Sequence, residues 1–177
     1  MPQISDFREA SFSKQKIEGC GKYLGRQTYW KLYIIENTLR IIINSILSVQ
    51  YHEKGGEWWA DLAGSKAQQN ADRNKKRYLV LEAKFFSKPG KHPIYFVDIK
   101  DLGTIIRENF SLFVDVFGDK SYNKLVVEIE NIIIPRNIVA HMNFPTKTDT
   151  KRIDTFFQDI NVYLDFLEDK EIEVRIP

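Results

Sequence analysis

The stretch Gln27-Thr-Tyr-Trp-Lys-Leu-Tyr-Ile-Ile-Glu-Asn-Thr-Leu-Arg-Ile-Ile-Ile-Asn-Ser-Ile-Leu-Ser-Val-Gln-Tyr51 decides the fold. Neither glycine nor proline interrupts it, and Tyr29, Tyr33, Ile43 and Leu47 recur at the spacing of one helical face, so it predicts a long helix. Glu36 and Arg40 fall on the same stripe, one turn apart and acidic before basic, the order that suits an ion pair. Such a pair is either an intrahelical salt bridge at the edge of the core, or it places Glu36 or Arg40 in the same cleft as His141. Both readings stand at this stage.

Upstream, residues 1–22 are polar with scattered apolar positions and end near Gly19-Cys-Gly21, which reads as an N-terminal arm or short element leading into the domain. Downstream, Gly55-Gly56 breaks the chain, and Glu57-Trp-Trp-Ala-Asp-Leu62 opens a second predicted helix that turns polar through Gln68 to Arg77. Arg73, Lys75, Lys76 and Arg77 form a basic cluster there. It reads either as cations decorating a helix end or as a contact for a nucleic-acid backbone.

Residues 78–99 are ambiguous between a strand hairpin across Ser87-Lys-Pro-Gly-Lys-His92 and an extension of the second helix followed by an extended segment; the period of Tyr78, Leu81 and Phe85 favours the extension. Asp98–Asn109 predicts a short helix with Leu102, Ile105 and Ile106 inward, followed by Phe110, Phe113 and Phe117 as core aromatics before Gly118. A further helix, capped by Ser121 or Asn123, carries Leu125, Ile129, Ile132 and Ile133, with a kink expected at Pro135. The last helix starts near Thr148–Thr150 and turns Ile153, Phe156, Phe157, Ile160, Tyr163, Leu164 and Leu167 inward. The reading is all-α: residues 23–169 as one helical bundle with an irregular or hairpin-like insertion around 78–99, and 170–177 as a tail, exposed or partner-bound.

Composition narrows the function classes. With 177 residues, 43% of them hydrophobic, and no Ser/Gly/Pro-rich linker, the chain supports one core. A formal charge of +2 does not by itself mark a nucleic-acid binder. A single cysteine, Cys20, rules out an internal disulfide and any CxxC knuckle. His52, His92 and His141 are dispersed without metal-ligand spacing, and no Walker loop or dinucleotide fingerprint occurs, so neither a metal nor a cofactor is expected. The start of the chain lacks a signal-peptide pattern and no apolar run is expected to span a bilayer, which predicts a cytoplasmic protein without a membrane partner.

The reactive residues concentrate in Ile133-Ile-Pro-Arg-Asn-Ile-Val-Ala-His-Met142. Arg136, Asn137 and His141 place a phosphate-binding cation, an amide and an imidazole within two helical turns, and on a continuous helix Glu130, Asn137 and His141 share a narrow strip. Imidazole titrates near neutral pH and suits acid–base work, while the guanidinium fork matches a phosphate. Glu36, Arg40 and Glu130 are supporting candidates.

The chain resembles the HEPN superfamily of helical domains, whose signature of Arg, four to six residues, then His stands here as Arg136-Asn-Ile-Val-Ala-His141. Its wider order is similar to the branch found in Swt-type RNA endonucleases. That order comprises Glu36-Asn-Thr-Leu-Arg40, Gly55-Gly-Glu-Trp-Trp59, Pro93-Ile-Tyr-Phe-Val-Asp-Ile-Lys-Asp-Leu-Gly-Thr-Ile-Ile106, the Phe-rich stretch and the Arg136 block. The resemblance implies an up-and-down helical bundle, commonly dimeric, with Arg and His of each protomer meeting at a composite cleft. It also implies metal-independent RNA cleavage, often in toxin–antitoxin or phage-defence systems with an antitoxin or regulatory protein. Noncatalytic members that bind RNA, a nucleotide or a protein partner also occur. Asn143 stands where some members carry a regulatory tyrosine, so control through that residue is not expected.

Overall fold

A computed structural model describes residues 6, 8, 11–52, 58–82, 84, 87 and 89–177, and among them the protein is an all-α bundle without strands. Its helices are α1 (Lys14–Leu24), α2 (Trp30–His52), α3 (Trp59–Leu62), α4 (Ser65–Glu82), α5 (Ile99–Glu108), α6 (Phe110–Ala140), α7 (Lys147–Asp159) and α8 (Val162–Asp169). A five-residue π-helical segment, Gly25–Tyr29, joins α1 to α2 without a break. Part of the segment read as an arm or short element is α1: Gly19 and Gly21 lie within it, and Cys20 between them is buried.

The long helix is the spine, but its inward stripe differs from the expected one. Leu32, Ile35, Leu39, Ile42 and Ile46 recur at steps of three and four residues and are buried, joined by Ile43 and Leu47. Tyr29 and Tyr33 instead lie 57% and 66% exposed, because the tyrosine column is rotated off that stripe. The continuous helix Lys14–Val49 contains a window of mean hydropathy 1.3, long and apolar enough to cross a membrane, contrary to the sequence expectation. Most of that window is buried by the other helices, as befits the central helix of a bundle.

The predicted second helix is two. α3 ends at Leu62, and Gly64, at a φ of +74°, separates it from α4. α4 continues to Glu82, as the Tyr78–Leu81 period implies; Phe85 lies outside the described residues. The basic cluster consequently sits in mid-helix, and the last turn of α4 holds no cation, so a helix-dipole role does not account for it. The segment expected to be extended is a 3-10 turn, Pro93–Phe96, started by the His92 imidazole, which accepts from the Ile94 amide at 3.2 Å.

Asp98 caps α5 by accepting from the Lys100 and Asp101 amides. α6 is two helical pieces meeting at Gly118, where φ 74° and ψ 156° depart from helical values; the second piece, the further helix expected from the sequence, begins directly after Gly118, ahead of the caps expected at Ser121 or Asn123. That bend, and not Pro135, is the non-helical backbone inside α6. The final helix divides at Ile160–Asn161 into α7 and α8, and its cap is Thr146, in a reciprocal capping box with Asp149. The tail docks within the chain: Arg175 donates its amide to Ser45 Oγ at 2.8 Å and accepts from Asn44 Nδ2 at 3.0 Å.

A polar cluster around the buried Glu128 and Tyr163 ties α6 to α7 and α8. Tyr163 Oη donates to Glu128 Oε2 at 3.1 Å, and Lys124 Nζ lies 2.8 Å from Asp159 Oδ2 and 3.8 Å from Glu128 Oε1. Burial, reinforced by the adjoining Asp159 carboxylate, pushes the Glu128 carboxyl up to about 7.

Candidate active site around Glu36, Arg40 and Arg136

Glu36 is the hub of the site. On α2 its Oε1 accepts from Arg40 Nη2 at 2.6 Å; across the bundle its carboxylate accepts from Arg136 Nε at 3.2 Å and Nη2 at 3.5 Å. The ion pair read from the sequence exists, and Glu36 and Arg40 also border a cleft, but His141 is not among the residues that border it. Arg40, 8% exposed, spends its other donors on structure: Nε donates to the Ile94 carbonyl at 3.3 Å and Nη2 to the Val97 carbonyl at 3.2 Å. It fastens the 3-10 turn to α2. A buried guanidinium needs this many acceptors, since an unpaired buried charge is costly.

Arg136 is held differently. Besides Glu36, its Nη1 donates to Asn137 Oδ1 at 3.3 Å, which leaves part of the guanidinium fork available at a half-buried, solvent-reached position. With Glu36 shared between two arginines, the local charge stays positive, as anion binding requires.

His141 is exposed and marks the end of α6. The helix closes there because Met142 takes a left-handed φ of 58°, with Met142 N donating to Val139 O at 3.0 Å and Asn143 N to Ile138 O at 2.9 Å. This Schellman-type closure satisfies carbonyls of the final turn and leaves His141 exposed at the helix end. Asn137 is also exposed, and its carbonyl accepts from the His141 amide at 3.0 Å.

Two open cavities flank the hub. One, of 390 Å³, is bordered by Tyr29, Tyr33, Tyr95, Arg136 and Met142, with Glu36 and Arg40 at its floor. The other, of 420 Å³, adds Asn74, Arg77 and Asp98 to the same three charged residues. Arg136, Glu36 and Arg40 are therefore brought together, whereas His141 is not among the residues bordering either cavity. Glu130 is committed elsewhere, accepting from Arg107 Nη1 at 2.8 Å on the α5 side. Of the basic cluster only Arg77 reaches this cleft; Lys75 borders a separate 150 Å³ cavity, and Arg73 and Lys76 are exposed along α4.

Sequence reasoning missed Asn74 and Tyr95. Asn74 donates to the Phe96 carbonyl at 2.7 Å, and the Tyr95 ring lies 5.8 Å from the Arg40 guanidinium. The signal that could have found Tyr95 was Pro93 after a capping His92, the pattern of a short helical turn.

No protein-family model matches this chain, and no curated protein or solved structure matches it significantly.

Proposed function

We propose that this chain is a metal-independent endoribonuclease of the HEPN type, working in the cytoplasm as a homodimer in a toxin–antitoxin or phage-defence setting. The observation that carries the reading is Arg136, anchored by Glu36 at the floor of an open cleft with donors to spare, in the same helix that presents His141 at its exposed end. In metal-free cleavage the ribose 2′-hydroxyl attacks the adjacent phosphorus and the 5′-oxygen leaves. Arg136 stabilises the charge that gathers on the phosphate oxygens, and Asn137 orients the phosphate or the imidazole. His141 takes the 2′-hydroxyl proton or protonates the leaving oxygen.

One imidazole does not perform both transfers in a single step, and a second protomer would bring the other. The exposed apolar residues Val127, Ile134 and Met142, 53%, 67% and 77% exposed on or just past α6, support a partner copy beside His141. The Arg77 side of the cleft would extend the contact to the RNA backbone. A noncatalytic module binding RNA, a nucleotide or a regulatory protein is the second reading, favoured by the Arg136–Glu36 ion pair and by the place of His141 outside the cavities.

The test is cleavage of a mixed RNA pool in EDTA by the wild type, His141→Ala and Arg136→Ala, each confirmed folded by circular dichroism. Cutting by the wild type that both substitutions abolish is the expected result. Binding of RNA without cutting by any of the three would replace this reading with the noncatalytic one.

A further inference from the structure

Tyr29 and Tyr33 stand one helical turn apart on one face, 57% and 66% exposed, and neither hydroxyl has a hydrogen-bond partner among the described residues. The same face continues through Glu36 and Asn37 to Arg40, so the helix runs from aromatic to charged along a single wall of the 390 Å³ cavity. Tyr95 borders the cavity from the 3-10 turn, while Arg136, Val139, Ala140 and Met142 border it from α6 and the residue beyond. The volume lies in the range of small-molecule sites, roughly 300–1,000 Å³. Three tyrosines beside an arginine with donors to spare combine flat, sequence-tolerant stacking surfaces with an anion clamp.

We infer that this cavity is a nucleobase subsite, taking the unstacked base of the nucleotide next to the phosphate held by Arg136; the assignment rests on the ribonuclease reading above. Tyr29 and Tyr33 offer their exposed rings to the base, and Met142 closes the rim with a polarizable side chain. Glu36 and Arg40 shape the floor; with its guanidinium donating to Glu36 and two backbone carbonyls, Arg40 leaves Arg136 as the phosphate contact. Paired RNA hides the faces of its bases in the stack, so the substrate class is single-stranded RNA or loops whose bases can splay out.

The experiment uses a short fluorescein-labelled single-stranded RNA carrying 2′-O-methyl groups throughout, which removes the attacking hydroxyl, and the same backbone made abasic at its central positions. Binding by the full chain is followed by anisotropy in EDTA for the wild type, the double variant Tyr29→Ala/Tyr33→Ala and the double variant Tyr29→Phe/Tyr33→Phe. Stacking contacts predict that the alanine pair weakens binding about tenfold or more, that the phenylalanine pair does not, and that the abasic probe binds the wild type as weakly as the intact probe binds the alanine pair. Equal affinity of the alanine pair and the wild type, equal affinity for intact and abasic probes, or no binding by the wild type would each overturn the subsite. Cleavage of unmodified RNA is scored in parallel. Cutting unchanged by the alanine pair removes the subsite and keeps the nuclease, whereas base-dependent binding without cutting keeps the subsite and removes the nuclease.

Discussion

Glu36 and Arg136, one hundred residues apart in the chain, meet across the bundle through Arg136 Nε and Glu36 Oε2 at 3.2 Å. The contact makes the orientation of the candidate phosphate clamp depend on a carboxylate that Arg40 already holds at 2.6 Å. The first prediction follows from that dependence.

Glu36→Gln keeps the shape of the side chain and removes its charge. Arg136 and Arg40 then both lose their counter-charge; on the ribonuclease reading proposed above, RNA cleavage falls by about 100-fold, the scale of an ångström-sized misplacement of a catalytic group. Stability should drop by about 1–3 kcal/mol, since the two guanidinium groups keep a neutral acceptor. Cleavage rates and urea unfolding of the same preparation check both figures, and unchanged kinetics would remove Glu36 from the site.

Gly118 sits at φ 74°, ψ 156°, a region essentially reserved for glycine. A Cβ there would meet no atom within 4 Å, so Gly118→Ala isolates the backbone penalty from packing. A loss of about 1–3 kcal/mol in urea unfolding is expected. A variant as stable as the wild type would show that α6 can straighten through this point at no cost.

Thr146 begins α7 through the capping box with Asp149, its Oγ1 accepting from the Asp149 amide at 3.1 Å. Thr146→Ala should cost about 1 kcal/mol, and Thr146→Ser should restore most of it. Thermal melts of the two variants decide the point; equal melting of Thr146→Ala and the wild type would mean that the cap contributes nothing.

Glu128 makes stability depend on pH. Its carboxyl lies at about 7 in the fold against a normal value of 4.5, raised first by burial and then by Asp159. A raised carboxyl contributes fully below its unfolded value and loses that contribution as pH climbs through its folded one, so stability from this residue declines between pH 4.5 and about 7. Lys124 opposes the rise, while Asp159 is itself held below its usual value by hydrogen bonding to Lys124 and Glu128, which places its own pH effect at more acid values. Glu128→Gln should flatten the urea midpoint across that window and raise it at pH 8. Identical pH profiles for variant and wild type would exclude the carboxyl as the cause.

Local patterns in the sequence carried the helical class, the long spine, the end of α4 beyond Tyr78 and the inward faces of α5 and α7, because periodicity and capping are properties of neighbouring residues. The same logic identified Glu36 with Arg40 as a pair, four residues apart on one helix. What lay beyond it was every relation between helices. The rotation of the spine that buries Leu32 and Ile35 and turns Tyr29 and Tyr33 outward depends on which neighbours cover each face. Pro135, by contrast, was a local signal that failed: the backbone stays helical there and departs from helical values at Gly118. That Arg136 reaches Glu36, that Glu130 is taken by Arg107, and that Tyr95 closes the cavity follow from contacts between segments far apart in the chain. A residue's chemistry and its helical face are written locally, whereas the partner it meets is fixed only when the whole core packs, since burial and hydrogen-bond satisfaction are settled over the assembled bundle.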